Sequence, residues 1–407
     1  MGSALWAGIS GLNASSKELD VIANNIANVN TVGFKAGKTY FGDVLSQSLS
    51  GGSSGNLQVG RGVMVTDIAT QFGPGSFETT GNATDVSIDG DGFFMVDDKN
   101  GATYYTRAGA FHMDNEGYLV DTNGYRVQGY NLTGSASTTI DDIALANVQS
   151  EPKTTTTFSF GLNLNADEAE DGTFNCSQTV YDSLGAEHTL NVLFTGDGGT
   201  DGCIWTFKVF LDGEEGTAAS NSFTFEDDGS LPETQGDIVI TFANPLLNGA
   251  TIGTDNKVTW DISGPSAPPI TGYASTSVIR SLSNDGYASG LLKSLSIDGD
   301  GKISGFFTNG QTSDIAQLVL ADFENPWGLK KMGSNLFGET LTSGPAIKNV
   351  PGASGMGEVK SNCLEMSNVD IATEFINMIT AQKAYQANAR VITTQDQVLT
   401  ELMNIKR

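Results

Sequence analysis

The sequence predicts an α+β multidomain protein in which a terminal coiled-coil pair of N- and C-terminal helices encloses two nested all-β domains. Three observations carry that expectation. Apolar residues recur at every seventh position near both ends of the chain, the spacing of a helical seam. Between the ends the apolar period falls to two, broken by Asp-Gly, Asn-Gly and Glu-Gly pairs, as short strands joined by tight turns require. One hexapeptide, Ser-Ile-Asp-Gly-Asp-Gly, occurs at both 87–92 and 296–301. Its two copies read as strand-to-turn corners of one domain that the chain leaves and re-enters.

At the carboxy-terminal end the heptad positions are Ile371, Met378, Tyr385, Ile392 and Leu399, interleaved with Phe375, Gln382, Ala389, Asp396 and Met403. Neither Pro nor Gly interrupts residues 368–402, and Ser367-Asn368-Val369-Asp370 supplies side chains able to accept from the free N–H groups of a first turn. At the amino-terminal end Leu5, Leu12, Leu19 and Ile26 repeat with Ile9, Ser16 and Ala23 between them. The expected subunit-interface residues are therefore Leu5, Ile9, Leu12, Leu19, Ile26, Ile371, Phe375, Met378, Tyr385, Ile392 and Leu399. Polar members such as Gln382 and Asp396 make the seam too weak for a free-standing dimer, so the helices must pair with each other or with copies on neighbouring molecules.

The first helix is expected to stop near Asn28. Asn24, Asn25, Asn28 and Asn30 are poor helix-interior residues and good hydrogen-bonding ones. Residues 34–80 are Gly- and Ser-rich, with Ser50–Gly55 a flexible tip, and read as a connector. From about residue 81 short apolar runs alternate, Val86 with Ile88 and Phe94 with Val96, between turn signals at Asp91-Gly92, Asn100-Gly101, Glu116-Gly117 and Asn123-Gly124. A second β region opens at Glu151-Pro152. Phe158, Phe160, Leu162 and Leu164 form a one-face strand there, followed by Leu190/Val192/Phe194, Trp205/Phe207/Val209/Leu211, Ile238/Ile240/Phe242 and Val258/Trp260/Ile262. The Pro-rich run 264–269 marks a boundary, because Pro lacks the N–H a ladder needs. The expected organisation is thus a terminal helical domain (1–33 with 364–407), a connector (34–80), a discontinuous first β domain (81–150 with 284–363) and an inserted outer β domain (151–283).

Composition narrows the function classes. The 407 residues carry 21 basic and 47 acidic side chains, a net charge of −26. Residues 1–41 and 364–407 are nearly neutral, which leaves 14 basic against 40 acidic residues between them. Near-neutral ends can pack against their own kind, whereas an acidic middle suits a solvated outer surface and excludes nucleic acid as a partner. No apolar run is long enough to insert in a membrane. No basic segment, hydrophobic core and cleavage site open the chain, so any export is expected to leave it uncleaved.

No constellation promises chemistry, so no catalytic residue, metal or cofactor is expected. After Asp298 and Asp300 the next alternate residue is Lys302, and after Asp89 and Asp91 it is Phe93, which rules out a calcium loop of the helix-loop-helix kind. His112 and His188 lie in β regions without triad or metal-ligand spacing. Gly60-Arg61-Gly62 reads as a turn, since no strand-to-helix context makes it a phosphate loop. Cys176, Cys203 and Cys363 are odd in number and lack Cys-x-x-Cys spacing. Cys176 and Cys203 share the inserted domain and could be bridged, although buried free thiols are the commoner outcome.

Several runs together resemble bacterial flagellar rod and hook proteins. At the amino end they are Gly11-Leu12-Asn13-Ala14, then Leu19-Asp20-Val21-Ile22-Ala23-Asn24-Asn25-Ile26-Ala27-Asn28, closing on Gly33-Phe34-Lys35. At the carboxy end they are Leu364–Asp370, Met378-Ile379, Gln382, Tyr385-Gln386-Ala387-Asn388 and Thr393-Thr394-Gln395-Asp396. Inward matches include Gly92-Phe93-Phe94, Tyr105–Gly109 and Gly117-Tyr118-Leu119-Val120. The motif positions are Asn24, Asn25, Asn28, Gly33 and Phe34. The resemblance implies the same nesting of domains and an axial, self-polymerising flagellar protein. With residues 151–283 as an extra domain, it implies a subunit of the hook, the flexible tube that transmits torque from rod to filament. Implied partners are further copies of the chain, the distal rod, hook cap and hook–filament junction proteins and the export apparatus. Phe41 and Leu45 resemble an export-gate motif. Some hook proteins cross-link through a Cys and a Lys, which would make Cys176 the cross-linking residue here. A distal rod protein and a surface-displayed β-rich adhesin are the alternatives.

Overall fold

In the computed structural model the described residues are 2–45, 47–49, 57–132, 139–146, 148–168, 171–197, 204–232, 235–243, 249–264 and 267–405. The expected flexible tip at 50–55 and Cys203 lie outside them. Two helices, α1 (Gly2–Ala27) and α2 (Ile371–Ile405), stand at the ends of a body that is otherwise almost entirely strand. The chain divides into two compact units, one of residues 1–146, 295–305 and 313–407, the other of residues 147–294 and 306–312.

The first unit holds both helices. Its main sheet is antiparallel, with strands Thr312–Leu318, Arg126–Asn131, Phe93–Asp97, Thr103–Thr106, Leu336–Gly338 and Lys330–Gly333 side by side. Beneath it Phe93 meets Phe72, Phe323 and Phe337 at ring-centroid distances of 5.5–6.0 Å. The two hexapeptide corners converge on one segment: Gly357 N–H donates to Asp91 O (2.8 Å) and Val359 N–H to Gly299 O (3.0 Å). The stretch read as a connector has its own structure. Strands Gly37–Asp43 and Val63–Thr70 pair as an antiparallel ribbon, and Ser10 Oγ on α1 accepts from Val63 N–H at 3.2 Å.

Turns in both units repeat one device. Asp98, Asp114, Asp121 and Asp182 each use one carboxylate oxygen to accept the N–H groups two and four residues on, at 2.8–3.0 Å. The glycine three residues on, as Gly117 and Gly124 show, takes φ near +82°, where a Cβ is unfavourable. The turn signals at Asn100-Gly101, Glu116-Gly117 and Asn123-Gly124 are therefore side-chain-templated hairpins.

In the second unit ten strands pack around an aromatic centre. The Trp260 indole has Phe158, Phe160, Phe194, Phe207 and Phe223 around it at 5.2–6.1 Å, and such pairs contribute roughly 0.5–1.5 kcal/mol each beyond area burial. The alternating sets Leu190/Val192/Phe194 and Trp205/Phe207/Val209/Leu211 are all buried. Strand Thr157–Asn163 departs from its expected one-sided pattern: Ser159, Gly161 and Asn163 are buried as well. Strand Val278–Asn284 pairs with it, Pro268 presses on Gly161, and Asn163 donates to the loop at 273–276. Period two is unchanged along this strand, but tertiary packing covers both of its faces.

Candidate assembly surface

The two helices run antiparallel. A Cβ on Gly8 would lie 3.2 Å from Ile392 Cγ1, one on Gly11 would lie 2.7 Å from Asn388 Nδ2, and Asn25 Nδ2 reaches Glu374 Oε1 at 3.4 Å. The face that α1 buries is mostly small or polar: Gly8, Gly11, Ala14, Ser15, Ile22 and Asn25. Small side chains let the two backbones approach closely. On α2, Asp370 starts the helix by accepting from Ala372 N–H (3.0 Å) and Thr373 Oγ1 (2.5 Å). These bonds hold its carboxyl below the usual range, the threonine hydroxyl first among them.

Contact within the chain therefore takes in one expected seam residue, Ile392, together with small and polar residues beside the seam. Leu5, Ile9, Leu12, Leu19, Ile26, Met378 and Ile392 are half-buried, while Ile371, Phe375, Tyr385 and Leu399 are exposed. Apolar periodicity marks where hydrophobic side chains repeat, whereas close helix approach is decided by where they are small. Further apolar residues on α2 are exposed over about half or more of their surface, among them Ile376, Ile379, Val391, Val398, Leu402 and Met403. Ile376 is 63% and Met403 74% exposed, so a 35-residue helix keeps apolar surface on more than one side. Large exposed apolar surface of this kind marks an interaction site.

Motif residues anchor the helices to the first unit. Asn25, almost wholly buried, pairs both peptide groups of Gly37, accepting from its N–H (2.9 Å) and donating to its carbonyl (2.8 Å). Asn28 Nδ2 returns to Asn24 O (2.9 Å) and closes α1. Gly33 takes φ +68° with Ala108 N only 2.6 Å from where a Cβ would sit, so no other residue fits there. Its N–H donates to Glu365 O (2.7 Å). Phe34 lies beneath Lys331 Nζ, 5.7 Å from the ring centre. Asn368, just before α2, accepts from Ala36 N–H (2.8 Å) and donates to Gln71 O and Gly73 O.

Below these contacts lies an ionic clasp that sequence reasoning missed. Lys35 Nζ meets Glu365 Oε1 at 2.5 Å with both side chains fully buried, and it also donates to Gly73 O (3.0 Å). Gly75 N–H donates to the same carboxylate oxygen (3.0 Å). Arg107 Nη1 faces Glu365 Oε2 at 3.7 Å, too far for a hydrogen bond, while its Nη2 donates to Gly90 O. Burial pushes the Lys35 ammonium and the Arg107 guanidinium below their usual ranges, and Glu365 opposes both shifts. Two cations thus share one carboxylate at the junction of the helices with the β body. All three residues stand inside the family-like runs, but nothing local in the sequence says that they meet.

Phe41 and Leu45 are exposed, Leu45 at 89%. Cys176 is fully buried in the second unit's core, which pushes its thiol up to about 11. Covalent chemistry at Cys176 would require its strand, Thr173–Tyr181, to open. Cys363 is buried 2.9 Å from Ser87 Oγ. His112 is exposed, and His188 is held between Asp212 (2.6 Å) and Asp182 (3.3 Å).

Four stretches of the chain match described families. Residues 5–35 match the flagella basal body rod protein family, and residues 87–161 the flagellar hook protein FlgE/F/G D1 domain. Residues 146–287 match the flagellar basal body protein FlaE D2 domain, and residues 360–405 the flagellar basal body rod FlgEFG protein C-terminal family. The flagellar hook protein FlgE of Borreliella burgdorferi is 36% identical over 445 aligned residues, covering 99% of each chain. That of Salmonella typhimurium is 35% identical over 416, covering 98% of each. A crystal structure of Helicobacter pylori flagellar hook protein FlgE2 superposes with a TM-score of 0.48 at 14% identity, covering 71% of this chain and 100% of that one.

Proposed function

The chain belongs to the flagellar hook protein family, and from that premise we propose that it assembles into the hook through the apolar faces its terminal helices leave uncovered. It is a structural subunit of the bacterial flagellar hook and not an enzyme. The observation that carries the assembly reading is the bare apolar surface of α2, from Phe375 and Ile376 through Met403. In a helical homopolymer whose head-to-tail contact does not close, each subunit buries such a face against its neighbours. The helix pair of each subunit then joins a coiled-coil-like inner tube, and the acidic β units face outward.

Weak polar contacts between outer units would let them slide as the tube bends and so carry torque from rod to filament. At its ends the tube must meet the distal rod, the hook cap and the hook–filament junction proteins. The exposed Phe41 and Leu45 are what the export apparatus would read. Electron microscopy of the purified chain tests the assembly reading. Wild type is expected to form tubes, Ile376→Asp/Ile379→Asp to stay monomeric with unchanged β-unit melting, and the exposed control Gln386→Asp to assemble. Tubes from the double variant at the wild-type concentration would refute it.

A further inference from the structure

Outside the helices the first unit carries a second apolar feature, a knob built from two laced loops. Thr340 Oγ1 donates to Gly328 O (2.6 Å), Asn325 Nδ2 to Thr342 O (3.0 Å) and Asn325 N–H to Ser343 O (3.3 Å). Ser343, fully buried, has its hydroxyl within hydrogen-bond distance of Thr340 O (2.9 Å) and Gly344 O (3.0 Å). The lacing is tight enough that a Cβ on Gly328 would lie 2.6 Å from Ser343 N. On this fixed support Trp327 is 73% exposed and Leu341 entirely so. A large apolar pair on a backbone that is already ordered can dock with little further loss of entropy, and Trp is among the residues most enriched at interface hot spots.

We propose that Trp327 and Leu341 form a docking knob for a second copy of this chain within the polymer, an inference that rests on the assembly reading above. Charge favours that occupant. The neighbouring edge strand Lys330–Gly333 exposes Lys330 and Lys331, whereas the chain as a whole carries −26, so the outer face of another copy brings carboxylates to these lysines. Position favours it too. Asn335, in the same hairpin, donates to Val32 O (2.8 Å), and Lys331 covers Phe34, so the knob is continuous with the base of the helix pair. Lysines along an edge strand oppose sheet extension, and the contact is therefore side-chain docking into a complementary surface of the neighbour.

A photoreactive benzophenone side chain introduced at position 327 of the full chain tests the knob. Irradiation of assembled tubes is expected to give a covalent ladder of this chain, and irradiation of dilute monomer none. Trp327→Ala/Leu341→Ser is expected to raise the concentration needed for assembly about tenfold with monomer melting unchanged. If wild type forms no polymer, the assembly reading itself falls. If wild type polymerises while the double variant does so at the same concentration and no ladder forms, or the label joins lipid or another protein only, the knob proposal alone is overturned.

Discussion

Glu365 offers a single carboxylate to Lys35 and Arg107 in a site closed to water. Removing it leaves the buried Lys35 ammonium without a carboxylate and leaves Arg107 with only Asp91 and Asp322, and breaking a buried pair in this way typically costs about 3–5 kcal/mol. Glu365→Ala is therefore expected to lower the denaturation midpoint of the first unit sharply, measured by chemical unfolding, while the second unit unfolds as before. His188 behaves differently because its charge, and so its stabilisation, depends on pH. Burial opposes its charge, but the hydrogen bonds to Asp212 and Asp182 outweigh burial and raise its pKa. Burial likewise pushes Asp212 up, and the His188 contact together with the Thr189 N–H more than offsets that and lowers it. The histidine's stabilisation is complete below its free value of about 6.5 and is lost as pH rises through its raised value. That of Asp212 is present above about 3.9 and lost as pH falls through its depressed value. Melting of the second unit is expected to be highest at mildly acidic pH and to decline toward alkaline pH, a decline that His188→Gln should flatten.

At the scale of elements, the pairing of α1 with α2 depends on residues whose virtue is absence of bulk. Glycine within a helix is unfavourable by roughly 0.5–1 kcal/mol relative to alanine, yet Gly8 and Gly11 stand where α2 comes closest. Gly11→Leu is expected to push Asn388 aside and loosen the pair at an overpacking cost of about 1–3 kcal/mol. Limited proteolysis should then cut both termini faster while the strands of each unit remain protected. Equal cutting rates would mean that the helices do not rely on this approach. The ribbon of strands 37–43 and 63–70 makes the same point from the other side. A Gly- and Ser-rich stretch reads as a connector, but Asn25 and Ser10 on α1 give it hydrogen bonds that a free linker would lack.

For the whole molecule the governing quantity is charge. Nearly all of the −26 resides between the terminal helices, so assembly of many copies brings like charges together. Screening shortens that repulsion, with a Debye length of about 30 Å at 0.01 M salt and about 8 Å at 0.15 M. The concentration needed for assembly is accordingly expected to fall as salt rises across that range, measured by sedimentation of the polymer. A rise would mean that attractive ion pairs, such as those of Lys330 and Lys331, dominate the contacts instead.

What the sequence determined by itself is what repeats over short distances. Helices at both ends follow from heptad spacing and the Ser367–Asp370 start signal, strands such as Glu187–Gly196 from period two, and hairpins from the Asn-Gly and Glu-Gly pairs between short apolar runs. Only the tertiary structure decided which helix faces meet. The heptad rule weighs apolar character, whereas Gly8 and Gly11 against Asn388 and Ile392 is a fit of shapes on two helices at opposite ends of the chain. Only it buried Ser159 and Asn163, whose polarity alone would place them in solvent. And only it brought Lys35, Arg107 and Glu365 together, because a buried ion pair forms where chain segments converge and leaves no local pattern in the residues around each charge.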